Sequence, residues 1–158
     1  MTVRIQREDF DVAAEIALLS RGRTDVGAVA TFTGICRADG GIGAMTLEHY
    51  PGMAEEEISR HVEEAKSRWP LLGVTVIHRY GRMEPGENIV LVVTASSHRE
   101  AAFSAAEFLM DYLKTRAPFW KQVESAKGTS WVDAKAVDDK AAERWTKPKS
   151  KPGNQAAE

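Results

Sequence analysis

The 158-residue sequence predicts an α+β fold, a single domain of mostly antiparallel sheet with packed helices. Three observations lead there. Strand-like and helix-like stretches are mixed along the chain. The links between them are short, as antiparallel neighbours require, and no repeat or change of composition divides residues 1–146. Apolar residues make up 43% and charged residues 28%, which suits a globular domain with a real core.

Residues 9–19, "DFDVAAEIALL", predict a short helix with Asp9 or Asp11 as N-cap. The Val-, Thr- and Phe-rich run "GAVATFTGICR" (27–37) predicts a strand, and "ADGGIGA" (38–44), with four breakers, a flexible loop. "MTLEHY" (45–50) is a second strand, stopped by Pro51-Gly52. Residues 53–69 form an amphipathic helix in which Ile58, Val62, Ala65 and Trp69 recur at helical spacing and acids crowd the first turns. "GVTVIHRYG" (73–81) and "NIVLVVTAS" (88–96) are strands joined through Pro85-Gly86.

A second helix follows over 97–116. Ser97 and Glu100 have capping-box spacing, and Phe103, Ala106, Met110 and Leu113 line one face. It should end near Arg116, because Pro118 pushes Ala117 out of the helical region. "TSWVDAKAVDDKAAERW" reads as a short extended piece and a short helix, and 147–158, with prolines and no apolar anchor, as a disordered tail.

Composition excludes several functions. A net charge of -2 argues against general nucleic-acid binding. No apolar run approaches the roughly 18 residues of a membrane span, and the N-terminus has no signal-peptide core, so the expected location is the cytoplasm. The single cysteine, Cys36, allows no internal disulfide and reads as a small buried hydrophobe. The four histidines, His49, His61, His78 and His98, lack metal-ligand spacing among themselves, and neither a metal nor a cofactor is expected.

The stretch "LKTRAPFWK" (113–121) carries the strongest chemical signal. Lys114 and Arg116 in a last helical turn are well explained as cations at the negative end of the dipole, and composition alone favours that reading. Against it stands Lys121. Phe119 and Trp120 are costly to leave in water and should pin the chain, holding Lys121 near the helix end. Two amines in a partly apolar pocket would lower each other's proton affinity, leaving one able to act as base or nucleophile. Arg37 at the mouth of the glycine loop, and His98-Arg99 at a helix N-terminus, read as solvated side chains or as anion ligands. Phe32 and Met110 read first as core.

Taken in order, "VATFTGICR", "MTLEHYPGM", "VTVIHRYG", "SSHREAAF" and "MDYLKTRAPFWK" resemble the large, catalytic subunits of molybdopterin synthase, over about residues 3 to 145. The resemblance implies an α+β fold with an α/β-hammerhead portion. It also implies conversion of cyclic pyranopterin monophosphate into molybdopterin. The sulfur would arrive as a thiocarboxylate on the C-terminal Gly-Gly tail of a small ubiquitin-like subunit, with a homodimer of large subunits inside a heterotetramer. The essential lysines of the family fall on Lys114 and Lys121, its anion-binding arginine on Arg37, and its His-Arg pair, which reaches into the neighbouring site of the dimer, on His98 and Arg99. Phe32 and Met110 match pocket-lining positions. Two positions depart from the pattern: Val123 stands where many relatives have glutamate, with Glu124 one further on, and Lys135 where arginine is common.

These cations would offset the repulsion between a phosphorylated substrate and an anionic sulfur donor. Either lysine would be the general acid/base, the other would bind phosphate, and His98 would carry a proton. Two rival classes fit the residues as well: a non-catalytic module that docks a ubiquitin-like protein, and a lysine Schiff-base enzyme acting on a small carbonyl phosphate.

Overall fold

A computed structural model describes residues 1–38, 40–132 and 136–146. The tail 147–158, Asp39 and Lys135 lie outside the described residues. The chain runs β1 (Thr2–Gln6), α1 (Val12–Ser20), β2 (Ala28–Ile35), β3 (Ile42–His49), α2 (Met53–Arg68) and β4 (Leu71–Arg79). Then follow β5 (Gly81–Met83), β6 (Asn88–Ser96), α3 (Arg99–Thr115), β7 (Phe119–Ser125), β8 (Gly128–Val132) and α4 (Ala136–Glu143).

Two four-stranded sheets share the strands, in the orders β1-β4-β6-β2 and β5-β3-β7-β8. Every pairing is antiparallel except β1 with β4, so the α+β class and its antiparallel bias are borne out. The first sheet is covered on both faces. Ile58, Val62, Val74, Val76, Val90, Val92 and Leu109 form the core under α2 and α3. On the other face Ile77, Leu91 and Val93 meet Phe10, Val12, Ile16 and Leu19 of the α1 segment. That double burial explains why β4 and β6 read as continuous apolar runs. Removing each such side chain from water contributes roughly 1.5–3 kcal/mol.

A third cluster, Cys36, Met45, Leu47 and Met83, lies where the sheets meet, and Ile89 packs against both it and the main core. The chain passes between the sheets five times, from β2 into β3, β3 into β4, β4 into β5, β5 into β6 and β6 into β7. Gly81, at φ 91°, makes the passage from β4 into β5. The backbone there takes a conformation open chiefly to glycine, so the 73–81 strand expected from sequence ends at Arg79 and its continuation joins the other sheet.

Other differences have similar local causes. Asp11 is the N-cap of α1, its carboxylate accepting from the Ala14 N–H at 3.1 Å. Ser97 is not the cap of α3: His98 is, and the Ser97 hydroxyl donates instead to the Asp25 carbonyl at 3.2 Å. Residues 42–44, expected in the loop, belong to β3 because β7 gives them a partner strand. Phe103, expected on the buried face of α3, is 65% exposed, and the helix buries Ala102, Ala105, Ala106, Leu109, Met110 and Leu113 instead. Phe32, expected in the core, is 41% exposed, because β2 is an edge strand that α3 covers only partly.

Candidate active site

The second lysine owes its place to a strand. After α3 the chain turns at once: the Arg116 and Ala117 N–H groups both donate to the Tyr112 carbonyl, and Phe119 N–H donates to the Ala117 carbonyl. β7 then pairs with β3, setting Phe119 opposite His49, Lys121 opposite Leu47 and Val123 opposite Met45. Leu47 and Met45 are buried, so strand alternation turns Phe119, Lys121 and Val123 toward the interior. Val123 packs against the junction cluster. Trp120 faces the other way, its ring edge-on to Tyr50 at 4.7 Å. Lys121 is thus a half-buried cation on the apolar face of a sheet.

Lys114 comes from the last turn of α3, one turn beyond the buried Met110, and its side chain is exposed. Its charge is felt by His78 of β4, a residue only 7% exposed. The His78 ring stacks on Phe119 at 4.0 Å and 18°. Burial, reinforced by the charges of Lys114 and His49, holds the His78 imidazolium down to about 4, so the ring is neutral. Phe119 also lies over His49 at 6.0 Å, and His49 meets Tyr80 at 4.4 Å. Arg7 caps the row, its guanidinium 4.6 Å from the Tyr80 ring centre.

Arg37 follows β2 at the same end of the first sheet. Its predecessor Cys36 is tethered on both sides: its N–H donates to the Glu87 carbonyl at 2.8 Å, and its carbonyl accepts from Gly86 N–H at 2.6 Å. The Cys36 thiol is 4% exposed and donates to the Met83 carbonyl at 3.9 Å. Burial pushes the thiol pKa up, with Lys121 the main opposing charge. The expectation of a small buried cysteine is therefore borne out. Val123 packs on the cluster that holds Cys36, so β7 brings Lys121 beside the segment that carries Arg37.

One end of the first sheet thus gathers Lys114, Lys121, Arg37 and Met110. His98 and Arg99 are not there. They lie exposed at the other end of α3, beside an open depression of about 520 Å³ that Glu100, Phe103 and Ser104 complete. A smaller cavity of about 180 Å³, between α2, α3 and Trp145, borders neither lysine. Of the departures, Val123 is partly buried against the junction cluster and Glu124 points outward to Arg82, 3.2 Å away. Among the described residues no group of three or more His, Cys, Asp or Glu could hold a metal. Sequence reasoning missed His49, His78 and Phe119 as one unit. Their signal is present only in hindsight, as aromatic rings on three strands whose pairing the sequence does not reveal.

Fold and side chains together define an α+β domain in which cations gather where two sheets meet. The chain belongs to the MoaE protein family, whose profile matches residues 5–116. It is 65% identical, over 91% of this chain and 92% of the relative, to the molybdopterin synthase catalytic subunit of Mesorhizobium japonicum. Among solved structures, the molybdopterin biosynthesis MoaE protein of Burkholderia ambifaria superposes with a TM-score of 0.79 at 48% identity, over 93% of this chain and 99% of that one. A complex of subunits 1 and 2 of the molybdopterin-converting factor from Helicobacter pylori superposes with a TM-score of 0.67 over 85% and 90% of the two chains. At 22% identity that likeness is one of fold. Among the described residues no helix is long and apolar enough to cross a membrane.

Proposed function

We infer that this chain is the sulfur-transferring subunit of a molybdopterin synthase, acting in the cytoplasm. It takes sulfur from the C-terminal thiocarboxylate of a small ubiquitin-like subunit and installs it on cyclic pyranopterin monophosphate as a homodimer within a heterotetramer. The observation that carries this reading is the inward-facing, half-buried Lys121 on β7, with Lys114 and Arg37 at the same end of the sheet. The 65% identity to a named catalytic subunit supports it.

The chemistry needs positive charge for a physical reason. The phosphorylated pterin and the thiocarboxylate are both anions, and bringing them together costs several kcal/mol in a site with little water. Lys114 and Arg37 reduce that cost from the exposed side, and Lys121 from the apolar side, where each unit of charge acts more strongly. One lysine moves the proton as the phosphate ring opens, and the other holds the phosphate. A carboxylate in Lys121's place would oppose both substrates.

Purified protein incubated with thiocarboxylated partner and the pyranopterin is expected to give a dithiolene product, and Lys121→Ala to lower its rate by about 10²–10⁴ while the protein remains folded. Normal turnover by that variant would remove Lys121 from the mechanism. Partner binding that is tight while wild type forms no product would favour the docking module. A borohydride-trapped substrate adduct on either lysine would favour Schiff-base chemistry.

A further inference from the structure

We propose that His78, acting through the Phe119 ring stacked on it, is a positioning residue that sets Lys114 and Lys121 relative to each other. The inference rests on the reading of the two lysines given above.

The geometry is that of a clamp between sheets. His78 belongs to β4 of the first sheet and Phe119 to β7 of the second. Their 4.0 Å stack joins the two sheets at the point where α3 hands the chain to β7. Only residues 116–118 separate α3 from β7. Lys114 is one residue before the end of the helix, and Lys121 is two residues beyond Phe119 on the same face of its strand. A ring fixed at Phe119 therefore fixes the chain on both sides, and with it the separation of the two amines.

The chemistry of the imidazole is consistent with that role and not with simple packing. Its Nδ1 lies 2.9 Å from the Arg79 carbonyl. A carbonyl oxygen only accepts, so Nδ1 carries the proton, the tautomer is set, and Nε2 keeps its lone pair. One hydrogen bond thus locks the plane of the ring on which Phe119 lies. Phenylalanine would fill the same buried volume without the cost of removing an imidazole from water. The neutral ring also adds no charge beside Lys114, His49 and the Arg79 backbone, so it orients the cations without repelling them.

The test is steady-state turnover with saturating thiocarboxylated partner, read per folded molecule, for wild type, Lys121→Ala, His78→Ala, His78→Phe and Phe119→Leu. A displacement of about 1 Å costs up to about 100-fold, so His78→Ala is expected to lower kcat by roughly 10- to 100-fold with KM within about threefold. His78→Phe keeps a flat ring for Phe119 to lie on but lacks the Nδ1–H bond that locks its plane, so its kcat should lie above that of His78→Ala and below that of wild type. A purely structural role would lower the thermal midpoint of both variants and leave kcat per folded molecule alone. Phe119→Leu keeps the apolar bulk without the ring, and decides the matter if His78→Ala does not fold. Turnover within about threefold of wild type in His78→Ala, or in Phe119→Leu where that variant must decide, overturns the inference provided Lys121→Ala is inactive. If Lys121→Ala is itself active, the lysine reading fails first and takes this inference with it.

Discussion

Arg99 and Lys114 stand at opposite ends of one helix, α3, with fifteen residue steps between them. At about 1.5 Å per residue the helix separates them by roughly 22 Å. No rotamer of either side chain closes that gap, so within one chain the His98-Arg99 pair cannot serve the site that holds Lys114. If both act in one reaction, the arginine must come from a second copy.

That geometry predicts complementation between two inactive variants. In a mixed dimer of Arg99→Ala and Lys121→Ala chains, one site carries both lesions and the other carries neither. Random exchange of equal amounts makes about half of the dimers mixed, so the mixture should regain about a quarter of wild-type turnover. The measurement is product formation after co-refolding, against each variant alone. Turnover no higher than that of the single variants would mean that Arg99 acts in its own chain or not at all.

How far the sequence disclosed this arrangement depended on how regular each element was. β6, predicted at 88–96, is observed at Asn88–Ser96, because a strand buried on both faces shows as an unbroken apolar run. α2 was legible from Ile58, Val62 and Ala65 at helical spacing. β7 was not legible, and its site residue is the reason: the inward positions read Phe119, Lys121 and Val123, so a cation interrupts the alternation that would mark a strand. β1 was passed over for a related cause. Val3 and Ile5 pack on the core while Arg4 turns to the opposite face and pairs with Glu15 of α1. Phe103 and Phe32 misled in the other direction, since apolarity alone does not reveal where a helix face or a sheet edge ends.

His78 should also leave a mark on stability against pH. Its folded pKa, about 4, lies below the ordinary 6.5, so between those values the unfolded chain binds a proton that the folded chain does not. Stability is then complete above about pH 6.5 and is lost as pH falls toward 4, by about 3 kcal/mol from this group. His61 is shifted in the same direction by its own burial, so wild type alone cannot isolate the effect. Denaturant unfolding of wild type and His78→Phe at pH 7.0 and at about pH 4.5 separates them: the variant should lose less stability on acidification. Equal losses in both would show that His78 is not held neutral by the fold.

The start of α3 depends on a glycine, and through it so does the placement of His98 and Arg99. Gly27 N–H donates to the Ser96 carbonyl at 3.0 Å, and a Cβ on Gly27 would stand 2.2 Å from the Ser97 carbonyl oxygen. That oxygen is backbone and cannot swing aside as a flexible side chain would. Gly27→Ala must therefore push β2 away from the turn that launches α3, at a cost of about 2–3 kcal/mol. Gly22 provides the contrast, because at φ 73° it sits in open space and its alanine variant bears only the backbone penalty, about 1–2 kcal/mol. Thermal unfolding should rank Gly27→Ala below Gly22→Ala, with a midpoint lowered by roughly 5–10 °C from wild type. Turnover separates the two further. Moving the first turn of α3 displaces Arg99, so Gly27→Ala should lose activity per folded molecule, whereas Gly22→Ala should keep it. A Gly27→Ala protein as stable and as active as wild type would show that the strand and the helix start move apart freely, and that Arg99 needs no fixed origin.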